Sequence, residues 1–262
     1  MISASRVFVT GLMVGAVLTI SLTCQSGPPM PADDFHEDFE GDLSNWSIER
    51  CCGHSLQLVP DPLDPAAGQV LRTEVRHGDD YHGRSRAEIR RSDHPAQMGQ
   101  ELWYSVRVLI PESYNDPGIW EDFGPWLMQM HQSPDPGEDW HYPPLHVWLK
   151  YDLEWQVETY YSKVAQMENR FDGLERVIHY RSGPGGVKLG QWTTLTWHAL
   201  WTHEDDGLLE FWIDGEQVID YRGPTCFNDS AGPWPKLGIY RGSAILGTMV
   251  VYHDDYREAI VE

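Results

Sequence analysis

Lysine is nearly absent from this chain, with 4 of 262 residues, and Lys plus Arg together number 19 against 40 Asp plus Glu. The formal net charge of −21 leaves no dominant basic face, which excludes a general nucleic-acid binder. Taken alone, the same count argues against any acidic partner. Cysteine is also scarce: Cys24, Cys51, Cys52 and Cys226 form no CxxC and no Cys/His spacing of the zinc type. Long apolar runs are missing except at residues 7–23, which are uncharged, short for a membrane span, and flanked by Arg6 and Cys24. No stretch after residue 34 shows a long 3.6-residue period, an internal repeat or a low-complexity break.

The apolar run is the core of an export signal over residues 1–24. Ser21-Leu22-Thr23-Cys24 is a loose lipobox, so the expected product is secreted, periplasmic or a lipoprotein anchored through a lipid on Cys24. Cleavage would remove Arg6 and leave the mature chain more acidic. Residues 25–34, with Gly27-Pro28-Pro29, read as a linker, and residues 35–262 as one domain. Export permits a disulfide from the Cys51–Cys52 pair to Cys226, with one thiol left over.

What is abundant is aromatic: 12 Trp and 12 Tyr, with 24 Gly and 18 Pro, the composition of many carbohydrate-handling β proteins. The dominant period is two. Residues 102–110, 145–150, 155–161, 193–201, 208–213, 217–221, 236–241 and 248–256 read as strands, and Asp214-Gly215 reads as a hairpin turn. Many short strands with Gly and Pro turns define an all-β sandwich or jelly roll of antiparallel sheets.

Four segments carry chemistry on one strand face, because residues i and i+2 point the same way. Arg86, Glu88 and Arg90 share a face, as do Gln129 and His131. His146, Trp148 and Lys150 share another, and Lys236 shares one with Tyr240. Gly238 between the last two leaves room for close approach to the backbone. One solvated face per strand is ordinary, but such faces usually hold Lys, Glu, Thr and Ser rather than Arg, Gln, His, Trp and Tyr. If the strands are neighbours they floor a groove.

Arg86 and Arg90 suit two-point contact with a carboxylate, and Gln129 can hydrogen-bond the same group as charge develops. His131 serves as a base near neutral pH. Tyr240 takes or gives a proton if Lys236 or Arg241 lowers its pKa. Neutraliser, base and acid together suit proton removal beside a carboxyl group followed by elimination. A uronic acid within a polysaccharide is the natural substrate.

Arg86-Ala-Glu-Ile-Arg90, Gln129-Met-His131 and Lys236-Leu-Gly-Ile-Tyr240 resemble the strand signatures of jelly-roll polysaccharide lyases, nearest to the heparin lyase I and glucuronan lyase group. Asp38-Phe-Glu-Gly41, Val59-Pro-Asp-Pro62, Phe211-Trp-Ile-Asp-Gly215 and Tyr221-Arg-Gly-Pro224 fit the same group, so the resemblance spans about 38–256. It implies a concanavalin A-like jelly-roll sandwich with a groove on its concave sheet. It also implies that Gln129 neutralises the uronate, that His131 and Tyr240 transfer the protons, and that Lys236, Arg86 and Arg90 hold substrate. His146, Trp148 and Lys150 join the expected substrate-binding set. The expected reaction is β-elimination on a 1,4-linked uronan, glucuronan-like before alginate or heparin, with no cofactor needed for the chemistry.

Two other function classes share the fold. A lectin-like module would keep the aromatics and arginines but has no need of Gln129, His131 and Tyr240. A glycoside hydrolase needs two placed carboxyl groups, and no Glu-x-Asp-x-x-Glu is present. Asp254 and Asp255 could join Glu40 in a structural calcium site, since hard oxygen ligands suit that ion. Trp120, Trp126, Trp140 and Trp148 are candidates to stack on sugars, with core packing the ordinary role of most Trp. His54, His77 and His82 lie in loop-like stretches. Finally, residues 70–91 hold Arg72, Arg76, Arg84, Arg86, Arg90 and Arg91 against Glu74, Asp79, Asp80 and Glu88, a local charge of +2. The expectation is a small positive groove on an acidic body, binding a polyanion through local charge.

Overall fold

A computed structural model describes Pro28, residues 30–114 and residues 125–261. The expected export signal over residues 1–24, with Arg6 and Cys24, and Trp120 lie outside the described residues. In chain order the strands are β1 (Phe35–Glu37), β2 (Ser47–Glu49), β3 (Leu56–Pro60), β4 (Gln69–Val75) and β5 (Ser85–Arg90). There follow β6 (Glu101–Leu109), β7 (Trp126–His131), β8 (Leu145–Lys150), β9 (Glu154–Tyr161) and β10 (Glu175–Arg181). The last are β11 (Trp192–Leu200), β12 (Leu208–Ile213), β13 (Glu216–Arg222), β14 (Trp234–Arg241) and β15 (Met249–Ile260).

Two antiparallel sheets form. One runs β13-β12-β11-β6-β15-β4-β3 with β1 beside β15, and the other runs β10-β9-β8-β7-β14-β5-β2. The alternation explains the layering. Ala87, Ile89, Met128, Met130, Val147, Val157, Leu237 and Ile239 turn inward from the second sheet. They join Leu71, Tyr104, Val106, Val108, Leu195, Trp197, Phe211 and Val251 of the first in a single core. Burying such side chains contributes roughly 1.5–3 kcal/mol each. Trp155, Trp197 and Trp201 are among the largest fully buried groups, so much of the Trp content serves packing. Asp214 and Gly215 both take positive φ (50° and 83°) in the β12–β13 turn, as a two-residue hairpin requires.

Two expectations are corrected. Cys51 is bonded to Cys52, while Cys226 is a buried free thiol. Cys226 is fixed in the core with its Sγ 3.8 Å from Met98 Sδ, whereas the pair sits in a surface turn. Gly238 does allow close approach, but of its own sheet. A Cβ there would lie 2.2 Å from the Ala87 carbonyl oxygen, and its φ of 142° suits glycine.

Candidate active site

Strand register assembles the site. Pairing of β14 with β5 and β7 sets Lys236 opposite Arg90 and Gln129, Tyr240 opposite Arg86, and Trp234 opposite His131. Arg86, Arg90, Gln129, His131, Lys236 and Tyr240 therefore reach one open cavity of about 640 Å³ on the outer face of the second sheet.

Its floor is an ion network. Lys236 is 2% exposed. Its Nζ donates to Glu49 Oε2 and Glu88 Oε2, both at 2.8 Å. Arg86 donates to Glu49 Oε2 at 2.9 Å and lies 3.6 Å from Glu88 Oε2, and Arg90 is 3.4 Å from Glu49 Oε1. Gln129 Nε2 donates to Glu88 Oε1. Burial alone would raise the Glu49 carboxyl, but Lys236 and Arg86 outweigh it and hold it at about 2. Three cations on two carboxylates leave one positive charge in excess. Glu88 thus orients the cations and Gln129, and Lys236 sets the charge of the floor rather than projecting from it.

His131 is built differently. Its Nδ1 lies 3.0 Å from the Gln132 carbonyl oxygen. A carbonyl only accepts, so Nδ1 carries the proton and Nε2 keeps its lone pair. The ring stacks on Trp234 at 5.1 Å and meets Trp140 edge-on at 5.6 Å. Burial first, and then the charge of Lys236, pushes its pKa down to about 3, so the imidazole is neutral. Tyr240 lies under the Arg86 guanidinium, 4.3 Å from the ring centroid, and meets Trp126 edge-on at 5.2 Å.

The other expected groups part company. His146 shares the sheet face but is fully buried, with Nε2 2.7 Å from Glu158 Oε1. The Trp126, Trp148 and Tyr160 rings crowd it at 4.4, 5.4 and 5.5 Å. Trp148 is 3% exposed, with Lys150 Nζ 4.6 Å from its ring centroid. None of His146, Trp148 and Lys150 lines the cavity. His54 pairs with Asp79 at 2.8 Å, and His54, His77 and His82 lie off the cavity. Trp126 and Trp140 do line it, and Trp140 is 56% exposed.

The positive charge also has other sources than the sequence run suggested. Arg72 and Arg76 both pair with Glu74, and Arg91 lies 3.1 Å from Glu258. None of Arg72, Arg76 and Arg91 lines the cavity. Arg84, Arg86, Arg90, Arg170, Lys236 and Arg241 line it instead, with Glu49 as the one carboxylate among the described lining residues. Glu49, Arg170 and Trp234 are contributions that sequence reasoning missed.

Glu40, Asp254 and Asp255 border a second cavity of about 580 Å³ on the other sheet. Glu40 accepts the Gln69 N–H at 2.7 Å, and Asp254 lies 3.0 Å from Arg107. Burial nevertheless raises Asp254 to about 6 against the pull of Arg107. Glu40, Asp254 and Asp255 are not among the described residues whose ligand atoms gather within 4.8 Å of one another.

A two-sheet β sandwich with an aromatic-walled, cation-floored groove, a neutral histidine and a tyrosine has the make-up of a carbohydrate-active site. The chain belongs to the polysaccharide lyase family, whose sequence model matches residues 39–257. It is a carbon–oxygen lyase acting on polysaccharides, which sets aside the binding-module and hydrolase readings. No curated protein sequence matches it. Among solved structures, the endo-β-1,4-glucuronan lyase of the fungus Trichoderma reesei is 18% identical, with a TM-score of 0.70 over 87% of this chain and 96% of that one. A family 7 alginate lyase crystallised with product is 11% identical, with a TM-score of 0.56 over 85% and 97%. A Chlorella virus alginate lyase is 7% identical, with a TM-score of 0.52 over 83% and 93%. These likenesses establish the jelly-roll fold. Among the described residues, no helix is long and apolar enough to cross a membrane.

Proposed function

We propose that this lyase cleaves a 1,4-linked uronic-acid polysaccharide, glucuronan-like, by β-elimination in the cavity of β5, β7 and β14. The observation that carries the reading is the His131 imidazole, neutral, with Nδ1 committed to a carbonyl and Nε2 left for a proton. The uronate carboxylate sits against the excess positive charge of Arg86 and Arg90 and the amide of Gln129. Their pull stabilises the enolate-like charge that forms when the C5 proton leaves. His131 Nε2 takes that proton. The electron pair forms the C4–C5 double bond, the C4–O4 bond breaks, and the departing oxygen takes a proton from the Tyr240 hydroxyl. Trp140 stacks on a flanking sugar. The glucuronan preference rests on the fungal glucuronan lyase, whose fold matches this chain at TM-score 0.70 against 0.52 and 0.56 for the two alginate lyases. The chain is exported, with a lipid on Cys24 as one route to anchoring, and a calcium ion at Glu40 and Asp254 would be structural.

The test is to incubate the purified protein with glucuronan, alginate and heparin and to follow ultraviolet absorbance of the new double bond. Absorbance should rise fastest with glucuronan. A rise confined to alginate or heparin overturns the substrate, and wild-type turnover in both His131→Ala and Tyr240→Phe overturns the site.

A further inference from the structure

Glu138, His141 and Asp229 form a second polar cluster beside the cavity, and nothing in the elimination uses it. Glu138 and His141 belong to the β7–β8 connection, and Asp229 to the β13–β14 connection. The His141 and Asp229 side chains are 1% and 0% exposed, and that of Glu138 is 5% exposed. His141 Nε2 faces both carboxylates, 3.2 Å from Asp229 Oδ1 and 3.6 Å from Glu138 Oε2. All three ligand atoms lie within 4.8 Å of one another.

Three features separate this cluster from an ordinary ion pair. First, two buried carboxylates share one imidazole, and among the described residues no Lys or Arg pairs with either. A buried excess of negative charge is costly without a counter-charge. Second, Asp229 Oδ2 is buried and has no hydrogen-bond partner, although the residue is only 3% exposed. Third, the spacing is that of a coordination shell. Donors bound at about 2.0–2.2 Å to one ion sit about 3.0–3.5 Å apart around it; of the two measured separations, 3.2 Å lies inside that range and 3.6 Å just above it. The donor set of one imidazole and two carboxylates suits a first-row transition ion better than calcium, which takes oxygen ligands.

We propose that Glu138, His141 and Asp229 bind one divalent transition-metal ion of the zinc or manganese type, which pins the loop bearing Trp140 and Tyr142 to the β13–β14 connection. The consequence is a fixed groove wall. Trp140, His141 and Tyr142 all line the cavity, which also gives the ion its way in. Glu138 extends the tie to a third segment, since its Oε1 accepts the Met167 N–H of the β9–β10 connection at 2.9 Å. That connection carries Arg170, another lining residue. The site holds whichever polysaccharide the groove takes.

The experiment strips the purified protein with a chelator, dialyses it against zinc chloride or manganese chloride, and counts metal per chain. One ion per chain is expected, together with a higher melting temperature than the stripped form. Uptake should fall at least tenfold in affinity in His141→Gln and Asp229→Asn, and should persist in the Glu40→Gln/Asp254→Asn double variant, which tests the other acidic cavity. No stoichiometric uptake, or uptake indifferent to His141→Gln, overturns the proposal. Should the single variants fail to fold, cobalt(II) added to the stripped wild type decides. Visible bands of a protein-bound ion with a nitrogen ligand support the site, and the spectrum of aqueous cobalt overturns it.

Discussion

The two halves of the second sheet carry nearly the same residue types on the same face, and only one of them is a groove. In the β5–β14–β7 half, Glu49 and Glu88 anchor Lys236, Arg86, Arg90 and Gln129 beside His131. In the β8–β9–β10 half, Glu158 anchors His146, Gln156 and Arg176. The difference lies in balance and cover. The first half has one cation more than its carboxylates and opens to a cavity. In the second, Glu158 and Arg176 cancel, and aromatic rings crowd the histidine. The two histidines are also protonated at opposite nitrogens. His131 gives Nδ1–H to a carbonyl and keeps Nε2, whereas His146 has its Nε2 on a carboxylate. Burial lowers both pKa values. A histidine on a sheet face is therefore a base or a strut according to what its second nitrogen meets.

The sharpest way to break this comparison is to delete the proton carriers in each half. His131→Ala and Tyr240→Phe should lower kcat by about 10²–10⁴-fold, the range for a positioned acid or base. His146→Gln should lower the melting temperature while leaving kcat within a few-fold of wild type. Double-bond absorbance and thermal melts on the same preparations read both effects. Loss of turnover in His146→Gln with an unchanged melt would move the chemistry to the wrong half.

Stability should divide the other way. Glu158 is fully buried, and burial would raise its pKa, but His146 and Arg176 hold it at about 2. Glu158→Gln weakens the hydrogen bonds of His146 and Gln156 to a fully buried group while Arg176, with a side chain 45% exposed, stays solvated, and should cost about 1–3 kcal/mol. Glu49→Gln should cost less, because Lys236 keeps Glu88. Denaturant titration distinguishes them, and equal costs would mean the open half is as tightly built as the closed one.

The pH dependence sharpens the same contrast. The folded-state pKa of His131 is depressed from 6.5 to about 3. Between those values the unfolded chain binds more protons than the folded one, so this group makes stability fall as pH drops through that window. Glu49 and Glu158, depressed from 4.5 to about 2, act in the same direction below pH 4.5. Activity behaves differently. Because the base stays unprotonated down to about pH 3, kcat/KM should show no inflexion near 6.5 while the protein remains folded. A clear limb at 6.5 would mean His131 titrates as an exposed imidazole.

How far the sequence reaches follows from these residues. Period-two alternation marks β5, β7, β8 and β14 and puts the right groups on each face, because the pleat dictates it. Asp214-Gly215 marks its hairpin for the same local reason. Alternation says nothing about what lies opposite. His146, Trp148 and Lys150 read as groove residues until pairing sets Trp126 opposite Trp148 and lays its ring beside His146. Glu49 sits on a three-residue strand too short to show a period. Arg170 comes from a connection, and Arg72 and Arg76 are near the groove arginines in sequence but lie on β4 of the other sheet and just beyond its end. Charge counted along the chain is not charge counted across a face.

That distinction sets the last prediction, the smallest in effect. The groove is positive through Arg84, Arg86, Arg90, Arg170, Lys236 and Arg241, on a chain of net charge −21. A polyanion approaching the body is repelled at long range and attracted only at the groove. Added salt screens both, with a Debye length of about 10 Å at 0.1 M and about 3 Å at 1 M. Because the attraction acts at contact and the repulsion at distance, moderate salt should first relieve repulsion and then weaken binding. KM for polymer should therefore pass through a shallow minimum while kcat stays nearly constant. Arg84→Ala and Arg170→Ala should each raise KM only a few-fold and flatten its rise at high salt. Arg72→Ala, on the other sheet and off the cavity, should leave the curve unchanged. A KM that rises from the lowest salt, or that responds to Arg72→Ala as strongly as to Arg170→Ala, would show the whole surface rather than the groove doing the attracting.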